Sequence, residues 1–202
     1  MKKSGTLSVL LAALLWGSNG VFVNILADSG LNNIERTSFR LLIAAVLEAL
    51  IVFFSDKEAF RIGKKDLFWS VLTGAIGIFA FLVFYTFCIV RVGMGVAGVL
   101  IYLMPAIVLI YNVVTGKEEL NAVKVISVVM NLTGCALVSG IASGGSFDLL
   151  GIAMGVLTAL CYAFNNIVLA EKFEDCRPMT KVFYPALFAA LLALIYLLLF
   201  SV

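Results

Sequence analysis

Seven apolar runs, each close to twenty residues long and joined by short polar connections, leave this chain few folds to choose from. A helix needs roughly 20 mainly apolar residues to cross the hydrocarbon core of a bilayer. By that measure the expected spans cover residues 6–27, 36–55, 67–89, 95–115, 122–140, 150–170 and 182–202. The connections read DSGLNNIE, DKEAFRIGKK, RVGMG, GKEEL, IASGGSFDLL and EKFEDCRPMT. Only helices and closed barrels satisfy every backbone polar group in lipid, and the alternation a barrel requires is missing. Hydrophobic residues make up 63% of the chain and charged residues 13%, against about a quarter charged in soluble domains. The expected fold class is therefore all-α integral membrane, with seven transmembrane helices.

Met1-Lys2-Lys3 ahead of an apolar run resembles the start of a signal peptide. The run is long, has no small-x-small cleavage site and is followed by further spans, so it reads as a retained first helix. Lys and Arg then set the orientation. With the N-terminus in the cytoplasm, the inner segments hold Lys2, Lys3, Lys57, Arg61, Lys64, Lys65, Lys117, Lys124, Lys172, Arg177 and Lys181. Only Arg36, Arg40 and Arg91 remain for the outer side. The expected location is the cytoplasmic membrane, with an outward C-terminus.

The chain also repeats itself. LAALLWGSNG at Leu11–Gly20 aligns without gaps with LTALCYAFNN at Leu157–Asn166, at an offset of 146 residues. Leu, Ala, Leu and Asn recur in place, Trp16 faces Tyr162, and Asn19 faces Asn165. A polar Asn at the same point of two apolar runs is the informative part. The first and sixth spans are thus equivalents, and the unit between them holds five helices. An odd unit inverts its copy, as in many secondary transporters with a mid-membrane site at the repeat interface. The expected domains are residues 1–141, a complete five-helix repeat, and residues 150–202, the first two helices of an inverted second repeat. Two full units would need about 290 residues, so a truncated chain or a fragment is expected.

Polar side chains inside the spans are the candidates for chemistry, because charge near the bilayer centre costs roughly 2.5–3.5 kcal/mol on insertion scales. Arg36 and Arg40 sit one helical turn apart in the second span. Arg36 reads as an interfacial anchor that snorkels; Arg40 either snorkels or lines a polar cavity. Glu48 lies two turns deeper. It either reaches the interface or couples transport to protons, the second reading resting on the lack of a basic residue within a turn. Trp16 and Asn19 share a face of the first span, and Asn19 bonds either a neighbouring helix or a substrate. Tyr85 suits an interfacial aromatic belt as well as a pocket, and Trp69 falls where a belt is expected. Tyr102, Tyr111 and Asn112 accompany Pro105, which reads as a mid-helix kink. Gly74 with Gly77, Gly134 with Gly140, and Gly151 with Gly155 offer close helix approach.

Other classes fall away. The chain has no histidine, which removes histidine metal sites, Ser-His triads and histidine relays. The scattered Cys88, Cys135, Cys161 and Cys176 read as small apolar fillers. There is no Walker A loop and no GxGxxG between strand and helix, so ATP hydrolysis is not expected. An intramembrane enzyme would need clustered catalytic groups, and no cofactor or metal is expected.

The residues that recur along the chain resemble the EamA-type members of the drug/metabolite transporter superfamily. The resemblance rests on Ala13-Leu14-Leu15-Trp16-Gly17, Arg40, Phe84-Tyr85, Tyr102-Leu103-Met104-Pro105, Glu118 with Glu119, the Gly134–Gly140 stretch, and a second copy opening near Gly151. It implies ten helices in two inverted five-helix repeats and export or exchange of small metabolites, amino acids or drugs. It also implies a central cavity near Trp16, Asn19, Arg40, Tyr85, Tyr102, Tyr162 and Asn165. The chain departs from the pattern at Tyr162-Ala163, which stands in place of Trp-Gly, and in lacking three helices of the second repeat. The expected function is secondary transport of a small organic solute by alternating access. The other reading is a membrane assembly protein, or a non-functional truncated product that needs a partner chain. Expected partners are a small-molecule substrate, the lipid bilayer and a second copy or complementing chain, with no nucleic acid.

Overall fold

A computed structural model describes residues 6, 10, 11, 13–15, 30–138, 148–173 and 176–200. The chain divides into two compact units, residues 1–32 and 33–202. In the first, the described positions from Thr6 to Leu15 are helical. Trp16 and Asn19 lie outside the described residues.

The second unit is helical throughout its described residues. It comprises α1 (Asn33–Ser55), a 3-10 turn (Lys57–Phe60), α2 (Lys64–Leu72), a π-helical segment (Thr73–Ala80) and α3 (Phe81–Ile101). Then follow α4 (Met104–Val114), α5 (Ala122–Val138), α6 (Leu149–Lys172) and α7 (Pro178–Phe200). Among the described residues, four helical stretches are long and apolar enough to cross a membrane: Asn33–Ser55, Lys64–Val114, Leu149–Lys172 and Pro178–Phe200. Ala122–Gly134 is a shorter apolar helix.

The expected spans 67–89 and 95–115 fall within one of these stretches, and most of the expected span 6–27 lies outside the described residues. The connection RVGMG contains only one residue that leaves helical geometry, Gly93 at φ 82 and ψ 161. Glycine reaches that left-handed region without a Cβ clash, so within the 51-residue stretch two helices meet at a kink at Gly93, inside the expected connection. The stretch turns again at Tyr102-Leu103. Pro105 therefore falls in the first turn of α4 rather than mid-helix, where its missing N–H breaks no internal hydrogen bond.

Lipid is as apolar as a leucine side chain, so helices associate through close packing and polar contacts rather than hydrophobic burial. The interior follows that rule. Gly151, Gly155, Ala159, Cys161 and Ala163 are buried along α6, and Ala186, Ala189, Ala190 and Ala193 along α7. A Cβ on Gly155 would meet Leu100 Cβ at 2.8 Å and Cys88 Sγ at 3.0 Å, so α6 and α3 pack closer than any larger residue permits. Buried hydroxyls bond back to their own helices: Thr37 to Asn33 O, Thr73 to Trp69 O, Thr86 to Leu82 O and Thr158 to Met154 O, each at 2.7–2.9 Å. Each of these four threonines thereby avoids the cost of an unmade hydrogen bond in an apolar interior. Cys88 and Cys161 are buried thiols, and Cys176 is half-buried.

The π-helical segment is the hub of the unit, because both α6 and α7 rest on it. A Cβ on Gly74 would lie 2.5 Å from Pro185 O and 2.9 Å from Phe188 Cβ of α7. A Cβ on Gly77 would lie 2.7 Å from Asn165 Oδ1 of α6. Pro185 itself is buried inside α7 and removes one backbone donor there. Leu41 of α1, Phe81 and Leu82 of α3, Cys161 of α6, and Ala189 and Ala193 of α7 close a common core around these contacts.

Charge gathers at the two ends. At one end Arg177 Nη1 holds Asp56 Oδ1 at 3.1 Å and also pairs with Glu58, while Lys117 pairs with Glu171. Thr180 donates to Ala59 O and Tyr184 to Phe60 O, tying the start of α7 to the turn after α1. At the opposite end Arg91 holds Asp148 at 2.9 Å.

Candidate functional site

The expected site residues fall partly together. Arg40, on α1, and Tyr85, on α3, lie within electrostatic range of each other, and Tyr85 is within the same range of Tyr102. Tyr85 stacks on Phe81, with ring centroids 6.0 Å apart and an interplanar angle of 6°. Phe81 in turn packs at 5.0 Å against Tyr162 of α6. One ring ladder thus links Arg40 and Tyr85 to Tyr162 across three helices. Arg40, Tyr85 and Tyr162 are half-buried, and Tyr102 is exposed at the turn between α3 and α4.

Asn165 follows Tyr162 on the same face of α6, since residues three apart are neighbours on a helix. Its Oδ1 is buried, accepts no hydrogen bond among the described residues, and rests against Gly77. The neighbouring Asn166 instead donates to Tyr162 O at 2.9 Å. A buried amide oxygen without a donor loses its hydration, and it does so here beside a π-helical segment, a feature found often at functional sites. Glu48 stands apart from this cluster, half-buried on α1, with Oε2 unbonded among the described residues.

Several features were not anticipated from the sequence. Asp148 caps α6, its Oδ1 accepting from Leu150 N at 3.0 Å and Gly151 N at 3.2 Å. The Arg91 hydrogen bond, followed by the Gly151 amide, holds the Asp148 carboxyl below the usual carboxylate range. Asp before the apolar run Leu149-Leu150 is the signal that marks this cap. A cavity of about 400 Å³ opens at the basic end, lined by Trp69, Ile107, Tyr111, Phe164, Glu171 and Lys172 among others. It lies on a different face of α6 from Tyr162 and Asn165. No group of three His, Cys, Asp or Glu side chains among the described residues is placed to hold a metal.

Residues 3–140 match the EamA-like transporter family. The chain belongs to that family. Its relatives carry the same reading. It is 26% identical over 186 residues to the uncharacterized transporter YxxF of Bacillus subtilis, covering 90% of this chain and 58% of that protein. It is 25% identical over 167 residues to the uncharacterized inner membrane transporter YicL of Salmonella typhimurium, covering 80% and 56%. An uncharacterized transporter of Archaeoglobus fulgidus is 27% identical over 144 residues, covering 71% and 51%. The chain spans somewhat more than half the length of these relatives. No solved structure matches. The family is one of transporters, and each of these relatives is named as a transporter.

Proposed function

We propose that the protein is a secondary transporter of a small organic metabolite, amino acid or drug, working by alternating access between two inverted repeats. The first repeat is residues 1–141 and residues 150–202 are the first two helices of the second, seven spans in all, with the N-terminus in the cytoplasm. Arg40, Tyr85, Tyr102, Tyr162 and Asn165, together with Trp16 and Asn19 of the first span, bind the substrate near mid-membrane.

The observation that carries this reading is the ring ladder Tyr85–Phe81–Tyr162 with Arg40 beside it, drawn from both expected repeats. Aromatic faces hold apolar or cationic parts of a solute, and an arginine fork orients a carboxylate or phosphate. Sidedness supports the orientation. Lys57, Lys117, Lys172 and Arg177 cluster at one end through their contacts, while Arg91 stands at the other. Alternating access also needs contacts that open at one end while closing at the other. Four ion pairs have that character: Arg91–Asp148 at one end, and Arg177–Asp56, Arg177–Glu58 and Lys117–Glu171 at the other. Each joins residues 33–138 to residues 148–200.

Proteoliposome counterflow across amino acids, purines and cationic drugs tests the reading, with Arg40→Gln and Tyr162→Ala as probes. A substrate whose uptake falls at least tenfold in both variants supports it. Uptake that is indifferent to both removes these residues from the site.

A further inference from the structure

The cavity at the basic end has a chemistry of its own. Its floor is apolar, made by Ile107, Leu160, Phe164 and Ile167. Two of its three rings are capped by ammonium groups. Lys172 Nζ stands 5.4 Å over the Trp69 ring, and Lys117 Nζ stands 5.1 Å over the Tyr111 ring. The acid in the lining, Glu171, is neutralised by its bond to Lys117. Lys172 makes no ion pair among the described residues; it stands over the Trp69 ring, with Glu171 in electrostatic range. One positive charge is thus left over at the mouth of an apolar chamber.

A chamber of about 400 Å³ lies in the range that takes small-molecule ligands. An organic cation is poorly suited to it, since the Trp69 and Tyr111 faces already hold ammonium groups and the carboxylate is taken. We infer that this cavity is a binding site for an amphipathic organic anion, whose apolar body lies on Ile107 and Phe164 and whose carboxylate or phosphate pairs with Lys172. Entry of the anion converts a lone ring-bound ammonium into a charge-assisted pair, and those bonds are about twice as strong as neutral ones. The site differs from the Arg40–Tyr162 ladder. It rests on the transporter reading only for calling the anion a cargo on its way to that ladder.

Trp69 reports directly on the site. In a Trp16→Phe background it is the one tryptophan left, and its fluorescence is titrated with 4-phenylbutyrate, 4-phenylbutanol and 4-phenylbutylammonium in phosphatidylcholine nanodiscs. The carboxylate is expected to saturate the signal at roughly tenfold lower concentration than the alcohol, the ammonium being weakest. Lys172→Gln equalises acid and alcohol, and Lys172→Arg restores the preference, which separates recognition from loss of fold. A second arm adds phosphatidylglycerol. If it weakens phenylbutyrate binding in the parent but not in Lys172→Gln, the anion is a lipid headgroup; unchanged binding makes it a soluble acid. Equal binding of acid and alcohol in the parent, tighter binding of the ammonium, or a preference that survives Lys172→Gln overturns the inference. Binding without uptake of the same acid leaves the site standing and counts against the transporter reading instead.

Discussion

Replacing Gly74 by alanine tests whether the π-helical segment carries the close helix approach described above. The new Cβ falls 2.5 Å from Pro185 O, where ordinary contact begins near 3.4 Å. Helix α7 must therefore withdraw by about 0.9 Å, and a backbone oxygen cannot swing aside as a side chain does. Overpacking of this kind costs roughly 1–3 kcal/mol, while alanine gains about 1 kcal/mol over glycine in helix propensity. Gly134→Ala supplies the control, since no described atom lies within 4 Å of its Cβ position. The propensity gain is common to both variants, so their difference isolates the overpacking: about 1–3 kcal/mol, or roughly 5- to 150-fold in the unfolding equilibrium. Unfolding from mixed maltoside micelles with increasing dodecyl sulfate, followed by helical circular dichroism, measures both. Gly74→Ala as stable as Gly134→Ala would refute the close contact between the π-helical segment and α7.

Three further outcomes follow from the charges. Asp148 is held below its ordinary pKa, so its contribution is present above the unfolded carboxylate value and fades as pH falls through the folded one. Parent and Asp148→Asn should therefore differ in melting temperature at pH 7 and converge below about pH 4; a constant gap contradicts the Arg91 pairing. Glu48→Gln should abolish proton-coupled uptake while leaving counterflow intact, and persistent pH dependence removes Glu48 from coupling. Arg177→Glu should weaken the basic end and slow uptake, with partial recovery in the Arg177→Glu, Asp56→Arg double variant. Additive effects of those two changes would show that the pair is not a latch.

The membrane class was legible because apolar run length is a direct physical requirement of the bilayer, and α1, α6 and α7 sit close to their expected bounds. The connection expected at RVGMG falls where Gly93 breaks helical geometry. The sequence of Thr73–Ala80, TGAIGIFA, carries no mark of π geometry beyond its two glycines. At the candidate site, Arg40, Tyr85 and Tyr162 stood out in the sequence because each is costly or amphipathic in lipid, and Phe81 links the two tyrosine rings in the structure. The cavity at the basic end was out of reach, since Trp69, Tyr111 and Lys172 are far apart in sequence and meet only through packing. Trp69 and Tyr111 are ordinary belt aromatics by position; their shared partnership with lysines is visible only in three dimensions.

Rocking of two inverted repeats is the central claim, and distances across the two ends test it most directly. Spin labels at Met94 and Leu149 report the Arg91–Asp148 end, and labels at Glu58 and Met179 report the Arg177 end, both in a background free of native cysteines. Double electron–electron resonance in liposomes should give two distances for each pair, with substrate shifting the two ends in opposite directions. A single unmoving distance at both ends, or both ends opening together, would contradict alternating access.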